Sequence, residues 1–168
     1  MRLISHRGNL NGPNPECENH PNYIDYTLSL GYDVEVDLYF IGGSLFLGHD
    51  GPQYEITEEW LKARKDCLLV HCKNANALDY MVELDAPEYV PEFFWHENDQ
   101  FALTSRMAVV VYPGRQIGPN SIVMKPELNN YTVGDCYAIC SDYISKFKLC
   151  EYSSPEPLDS SAETSEQN

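Results

Sequence analysis

Two histidines stand where apolar, strand-like segments of the chain end. His6 follows residues 3–5, and His49 follows residues 45–48. The unperturbed pKa of histidine, about 6.5, lets the side chain both accept and donate a proton near neutral pH. Cleavage of a phosphodiester needs both events, because one group deprotonates the attacking hydroxyl while another protonates the departing alkoxide. His6 and His49 are therefore candidates for a general acid and a general base.

Two acidic residues lie between these histidines in a segment with the composition of a β-strand. Glu35 and Asp37 are two residues apart within residues 33–41, so both side chains face the same side of the strand. Two carboxylates about 7 Å apart repel each other by roughly 2 kcal/mol at an effective dielectric constant of about 20, and a bound hard cation reverses that cost. The pair predicts a divalent metal site, with Mg²⁺ or Ca²⁺ favoured.

The order of these motifs along the chain resembles that of a known enzyme family. The motifs are His6-Arg7-Gly8, Glu18-Asn19, Glu35-Val36-Asp37 and His49-Asp50. This ordered set resembles the glycerophosphodiester phosphodiesterase family, whose members carry these elements near the N-terminus of a (β/α)8 barrel. The resemblance implies that Arg7 contacts the phosphate, for which a planar, bidentate guanidinium is well suited. Gly8 would allow a positive φ or a close backbone approach.

The glutamate of the family's Pro-Glu-Asn element has two candidate positions in this chain. Glu18 matches the family's Pro-Glu-Asn element if two residues are inserted after Pro15. The resemblance then implies that Glu18 supports the site, and Glu16 is the competing match.

The segment of residues 68–74 resembles the family's third strand, which usually reads Glu-x-Lys. Lys73 matches the lysine that neutralises phosphate charge, with a plain surface lysine as the alternative. His71 occupies the position of the glutamate that is the third metal ligand. Because imidazole prefers softer ions than Mg²⁺ or Ca²⁺, Mn²⁺ and Zn²⁺ stay open as alternatives.

Two further polar residues at strand ends have more than one interpretation. His96 ends the apolar run 93–95, and a contact with the site or substrate is as compatible with this position as a structural role. Asp142 follows residues 137–141, which resemble the family's final strand. Its position favours capping of the next helix over orientation of a site group.

The elements that must position these residues are strands with few helices, and residues 107–112 and 121–124 are two further strand-like segments. Four helices are predicted, beginning near Pro21, after Thr57, after Asn74 and after residue 142. A full (β/α)8 barrel usually takes about 250 residues, whereas this chain has 168. We therefore predict a compact, reduced (β/α)8 barrel of the TIM type whose helices are shortened or missing in the second half. An open or partly antiparallel sheet over residues 92–125 is the alternative.

Composition limits the partners and the compartment. Residues 1–150 are predicted to form one domain, and residues 151–168 a disordered acidic tail. The formal net charge of −15 argues against a nucleic-acid partner and against anionic membranes. No apolar run is long enough to insert stably in a bilayer. The N-terminus lacks the residue pattern of a signal peptide, which favours a cytoplasmic location. Six cysteines without a Cys-x-x-Cys pair argue against a zinc ribbon and are expected to be reduced thiols. The oligomeric state is not predicted.

Residues and resemblance together predict a metal-dependent phosphodiester hydrolase of lipid metabolism. Its partner would be a small, glycerophosphodiester-like substrate. The alternative is a catalytically inactive module of the same fold that binds a phosphate headgroup. The presence of His71 at the position of the family's metal-binding glutamate favours this alternative. A protein that uses its histidines to gather Zn²⁺ or another transition ion is a third interpretation.

Overall fold

The computed structural model of the protein describes residues 1–84, 89–128 and 133–150. These residues form one mixed sheet of ten strands that curves into a half-barrel, with four short helices. The predicted tail, residues 151–168, lies outside the described residues. No helix in the described part of the chain is long and apolar enough to cross a membrane.

Most of the elements coincide with the predicted segments. The strands are β1 (Arg2–His6), β2 (Asp33–Ile41), β3 (Ser44–Leu47), β4 (Tyr54–Ile56), β5 (Leu68–Cys72), β6 (Glu92–Trp95), β7 (Phe101–Leu103), β8 (Val109–Val111), β9 (Ser121–Met124) and β10 (Ala138–Ser141). The helices are α1 (Pro21–Ser29), α2 (Glu58–Lys62), α3 (Ala75–Glu83) and α4 (Ser145–Cys150), and Pro126–Leu128 forms a 3-10 turn. All four predicted helices are confirmed, whereas β4 and β7 were not predicted.

Seven neighbouring strands of the sheet are parallel. Their spatial order is β6, β5, β2, β1, β10, β9 and β8. Strand β7 pairs antiparallel with β8 at one end of this series. Strand β1 pairs with the first part of β2, and β3 pairs antiparallel with the last part, from Leu38 to Ile41. The hairpin of β3 and β4 therefore begins near the point where β1 ends.

The predicted (β/α)8 barrel of the TIM type is wrong. In the described part of the chain, β6 pairs only with β5 and β7 only with β8, so the sheet is open between them. The physical reason is the length of the connections, because parallel neighbours need a crossover of about a dozen residues or more. Residues 96–100 and 104–108 are too few for one, and β7 and β8 instead form an antiparallel hairpin. The alternative of an open, partly antiparallel sheet over residues 92–125 matches the structure.

Strand β2 has an apolar face toward the helices and an acidic face toward the inside of the half-barrel. Val34, Val36 and Leu38 are fully buried in a cluster with side chains from α1, α2 and α3. Burial of three such side chains stabilises the fold by roughly 4 to 9 kcal/mol. Because side chains alternate along a strand, Glu35 and Asp37 must face the opposite side. The packing of the apolar face thus fixes both carboxyl groups on the inner face.

Asn74 links the end of β2 to the start of α3. Its Oδ1 accepts hydrogen bonds from the backbone N–H groups of Ala77 (2.8 Å) and Phe40 (3.3 Å). Its Nδ2 donates to the carbonyl oxygen of Phe40 at 3.1 Å. A single side chain therefore caps the helix and also satisfies the backbone of the strand that carries the acidic pair.

We predict that Asn74→Ala lowers the free energy of unfolding by about 2 kcal/mol, because it removes a helix cap and leaves strand groups unpaired. Urea unfolding followed by circular dichroism measures the change. Asn76→Ala is the matched control, since Asn76 is exposed on the same helix. Equal losses in the two variants would contradict the prediction.

Candidate functional site

A cleft of about 300 Å³ opens among the strand ends of the half-barrel. Six of the eight predicted site residues line it: His6, Arg7, Glu35, His49, His71 and Lys73. The other two, Asp37 and Glu18, are in contact with Arg7. The structure therefore brings all eight predicted site residues together.

Strand register explains why residues distant in sequence meet here. His6 lies opposite Glu35 in the pairing of β1 with β2, and Asp37 lies opposite His71 in the pairing of β2 with β5. The backbone N–H of Gly48 donates to the carbonyl oxygen of Asp37 at 3.1 Å, which holds the loop after β3 against β2. His49 therefore lies beside Asp37.

Two glycines are required by the geometry of the loops that carry the histidines. Gly48 has a φ of +152°, and a Cβ atom there would lie 2.1 Å from the carbonyl oxygen of Gly51. Gly8 has a φ of +92°, and its Cβ would lie 2.7 Å from Cδ1 of Tyr23. The predicted positive φ of Gly8 is confirmed. Arg7, with a φ of 56°, adopts the left-handed region without being glycine, a strain that is typical of functional sites.

Asp37 is the most heavily contacted charged group of the site. It is fully buried. The distances from its carboxylate oxygens are 2.9 Å to Arg7 Nε, 3.0 Å to Asn19 Nδ2, 3.0 Å to His71 Nδ1, 3.5 Å to His49 Nδ1 and 3.5 Å to Lys73 Nζ. Burial alone would raise the pKa of Asp37, but these hydrogen bonds and positive charges hold it well below its usual range. Asp37 is therefore ionised at neutral pH.

Glu35 has the opposite environment, although it lies on the same face of the same strand. Its side chain is almost fully buried, and its Oε2 has no hydrogen-bond partner among the described residues. The nearest ring nitrogens are His6 Nε2, 3.9 Å from Oε2, and His71 Nδ1, 4.0 Å from Oε1. Burial, with the neighbouring charge of Asp37, raises the pKa of Glu35 to about 8. A buried, unsatisfied carboxyl costs roughly 1 to 3 kcal/mol.

The chemistry of these donors fits a divalent cation. One ligand atom each from Glu35, Asp37 and His71 lies within 4.8 Å of the others, and all three residues were predicted as ligands. A cation at this position would give the Glu35 carboxylate a charged partner and would offset the repulsion between the two carboxylates.

His6 is held by a second acidic residue. Its Nδ1 lies 2.6 Å from Asp142 Oδ1, and Asp142 also accepts from Asn9 Nδ2 (2.8 Å) and Lys125 Nζ (2.9 Å). Burial lowers the pKa of His6 despite the hydrogen bond with Asp142. The neutral ring donates from Nδ1 to Asp142 and keeps the lone pair of Nε2. The contacts of Asp142 thus match orientation of a site group, the less favoured of its two predicted roles.

Glu18 anchors the arginine of the site. It accepts hydrogen bonds from Arg7 Nη1 (3.1 Å) and from Asn9 Nδ2 (2.8 Å), whereas Glu16 is exposed. Of the two candidate positions for this element, only Glu18 lies in the site. Asn19, the second residue of the same motif, accepts from the backbone N–H of Asp37 at 2.9 Å.

The sequence interpretation missed three contributors to the cleft. Lys125 and Tyr112 line it, and Asn9 bridges Glu18 and Asp142. Lys125 directly follows β9, just as Lys73 directly follows β5. This shared position is a sequence signal that could have identified Lys125. Asn9 and Tyr112 have no comparable signal, because only the tertiary fold brings them to the site.

His96 lies in the cleft, in agreement with one of its two interpretations. Its ring centroid is 5.1 Å from that of His71 and 4.2 Å from that of Tyr112. Burial is the main cause that lowers the pKa of His96, with the neighbouring His71 contributing. The ring therefore packs against a predicted metal ligand.

Comparisons of the chain with protein-family models, with curated proteins and with solved structures find no match. The resemblance to the glycerophosphodiester phosphodiesterases therefore rests on the motifs alone and stays a prediction.

We predict that Glu35→Gln stabilises the metal-free protein, and increasingly so as the pH rises. The pKa of Glu35 is raised to about 8 by folding, so its contribution to stability is complete below the unfolded pKa of about 4.5 and is lost as the pH rises through 8. The amide does not ionise and escapes this loss, which amounts to a few kcal/mol at pH 8.

Urea unfolding of metal-stripped protein at pH 5 and pH 8 measures the difference. Glu16→Gln is the control, because Glu16 is exposed and its substitution makes the same change in net charge. A difference between Glu35→Gln and this control that does not depend on pH would contradict the raised pKa.

Proposed function

We propose that the protein is a metal-dependent phosphodiester hydrolase that acts on a glycerophosphodiester-like substrate with two histidines as acid and base. The observation that carries the proposal is the convergence, on one cleft, of two histidines with three cationic side chains around a buried acidic pair. Each group has a task in phosphodiester cleavage, and the tasks can be assigned from its contacts.

His6 is the general base. Asp142 orients the ring and would stabilise the imidazolium that forms, because the carboxylate lies 2.6 Å from Nδ1. Nε2 of His6 accepts the proton of the attacking hydroxyl, whose oxygen forms the new bond to phosphorus. The lowered pKa of His6, caused by burial, keeps Nε2 unprotonated at neutral pH.

His49 is the general acid. Its Nδ1 lies 3.5 Å from the carboxylate of Asp37, which can accept a hydrogen bond from a ring N–H. As the bond from phosphorus to the leaving oxygen breaks, His49 donates its proton to that oxygen. The side chain of His49 is 42% exposed, so a proton from solvent can restore it after each turnover.

Arg7, Lys73 and Lys125 hold the phosphate. All three line the cleft, and a guanidinium can bind two phosphate oxygens at once. Arg7 Nη2 lies 3.3 Å from His49 Nε2 and Lys73 Nζ lies 3.4 Å from His49 Nδ1. A phosphate bound by these cations would therefore lie next to the acid.

Glu35, Asp37 and His71 would hold a divalent cation. When bound, the cation supplies positive charge that stabilises the phosphoryl oxygens in the transition state. Arg7 and Lys73 contact Asp37 and would align the substrate relative to the three metal ligands.

The size of the cleft and the charge of the chain select among phosphodiesters. A cavity of about 300 Å³ is at the small end of ligand sites and suits a small molecule. The net charge of −15 disfavours binding to a nucleic-acid backbone.

We also propose a cytoplasmic location, which the free thiols of Cys17, Cys67, Cys72, Cys136 and Cys140 support.

The second candidate is a module that binds a phosphate headgroup without turnover. The observation that favours it is His71 at a position where the resembled family carries a metal-binding glutamate. A folded protein that binds glycerol phosphate but hydrolyses no phosphodiester with any divalent metal would support this candidate.

We predict that His6→Ala and His49→Ala each reduce kcat for a glycerophosphodiester by roughly 100- to 10,000-fold, because each removes one proton transfer. Product release with added divalent metal measures the change, and circular dichroism verifies folding. His6→Gln repeats the test with a side chain that can still donate to Asp142.

His20→Asn is the matched control. His20 caps α1 by accepting from the backbone N–H of Asn22, and asparagine is an equally good cap. Its activity should equal that of the wild type. Full activity in both His6→Ala and His49→Ala would overturn the assignment of acid and base.

A further inference from the structure

We propose that the cation site selects a first-row transition ion, Mn²⁺ or Zn²⁺, over Mg²⁺ and Ca²⁺, and that His71 determines this preference. The inference rests on the proposed function in that it concerns the same site, but it is tested by metal binding alone. It departs from the preference for Mg²⁺ or Ca²⁺ that the acidic pair suggests by itself.

The number and type of donors disfavour the hard cations. Ca²⁺ takes six to eight oxygen ligands and Mg²⁺ is usually held through carboxylates and waters. The described residues offer three donors at this position, Glu35, Asp37 and His71, and one of them is a nitrogen. Three protein ligands that include imidazole and carboxylate are typical of catalytic Zn²⁺ sites, which keep a further position open. Imidazole is also a better ligand for transition ions than for Mg²⁺ or Ca²⁺.

The balance of charge points in the same direction. Arg7 Nε and Lys73 Nζ lie 2.9 Å and 3.5 Å from the oxygens of Asp37. Two positive charges would therefore offset the two negative charges that Glu35 and Asp37 carry when a cation is bound. Affinity for Ca²⁺ depends on the number of charged ligands, so these neighbours weaken a hard-cation site. These neighbours repel every divalent ion, so the affinity depends more on the type of ligand, and the imidazole favours transition ions.

The hydrogen bonding of His71 presents a ring nitrogen to the acidic pair. Nε2 lies 3.5 Å from the carbonyl oxygen of His96, which can only accept a hydrogen bond. In the metal-free protein, Nδ1 lies 3.0 Å from Asp37 Oδ1 and donates a hydrogen bond to it. A cation bound by both atoms would take the place of that proton, and Nε2 could then carry the ring proton and donate to the carbonyl oxygen of His96. Metal-binding histidines commonly have this type of supporting carbonyl contact.

Packing holds the His71 ring in this orientation. The ring is parallel to that of Phe94, with an interplanar angle of 6° and centroids 4.8 Å apart, and it stacks on His96 at 5.1 Å. His71 is also buried. Because the neighbouring rings restrict its rotation, Nδ1 is held in place before the ion binds, and a fixed ligand favours ions that accept its position and donor type.

The test is a metal titration of wild-type protein that has been stripped with chelator. Electron paramagnetic resonance of free Mn²⁺ gives its dissociation constant, and Zn²⁺, Mg²⁺ and Ca²⁺ are then added in competition. We expect one Mn²⁺ per chain, displaced by Zn²⁺ at lower concentration and by Mg²⁺ or Ca²⁺ only at concentrations at least about 30-fold higher, as the order of transition-ion affinities and the nitrogen ligand require.

Two substitutions identify His71 as the cause. His71→Glu replaces the nitrogen with an oxygen donor and should shift the preference toward Mg²⁺ and Ca²⁺. His71→Phe keeps an aromatic ring in the stack and should weaken Mn²⁺ binding by about tenfold or more, because one of three ligands is lost. If three buried carboxyl groups prevent His71→Glu from folding, the wild type and His71→Phe still decide the question. His20→Asn should bind Mn²⁺ as the wild type does.

Equal competition by Mg²⁺ or Ca²⁺, unchanged Mn²⁺ affinity in His71→Phe, or the absence of any bound ion would each overturn the inference. Failure of the proposed function has a different signature. Tight Mn²⁺ or Zn²⁺ binding without turnover of any phosphodiester would support the inference about metal selectivity and contradict the proposed hydrolase function. Turnover by a protein that binds Mg²⁺ most tightly would support the hydrolase function and contradict the inference.

Discussion

The burial of two carboxyl groups on one face of β2 is the constraint on which the rest of the site depends. Val34, Val36 and Leu38 must face the helices, so Glu35 and Asp37 have no alternative to the inner face. Buried like charges are costly unless they are paired or neutralised. The cations, amide groups and histidines of the neighbouring strand ends meet at this point and offset part of that cost.

The two carboxyl groups are compensated unequally, and this difference indicates a role for Glu35 other than stabilising the fold. Asp37 receives the ion pairs and hydrogen bonds and stays ionised, whereas Glu35 is left with an unpartnered oxygen and a raised pKa. A scaffold selected only for stability would pair both carboxyl groups or replace one. An unsatisfied acid beside a histidine and an ionised aspartate is understandable as half of a binding site that a cation completes. A cation that bound Glu35 would therefore also stabilise the fold.

Local sequence signals identified individual elements more reliably than their arrangement. The bounds of β2 and the starts of the four helices follow from strand composition, caps and apolar spacing, all of which are short-range. The closed barrel failed because closure depends on connections, and residues 96–108 provide only short ones. The predicted site residues were brought together because strand ends meet at one edge of a parallel sheet. Asn9 was not predicted because its partner Asp142 is brought near only by the pairing of β1 with β10, the first and last strands of the described residues.

Turnover of an aryl phosphodiester by metal-stripped protein, before and after addition of Mn²⁺, tests the central claim most directly. An aryl leaving group needs little protonation and has a colour, so the assay reports even a weak activity and does not depend on the natural headgroup. The account predicts no turnover in chelator and hydrolysis that saturates when one ion is bound per chain. Equal turnover with chelator and with Mn²⁺, or none in either from a folded protein that binds the ion, would contradict it.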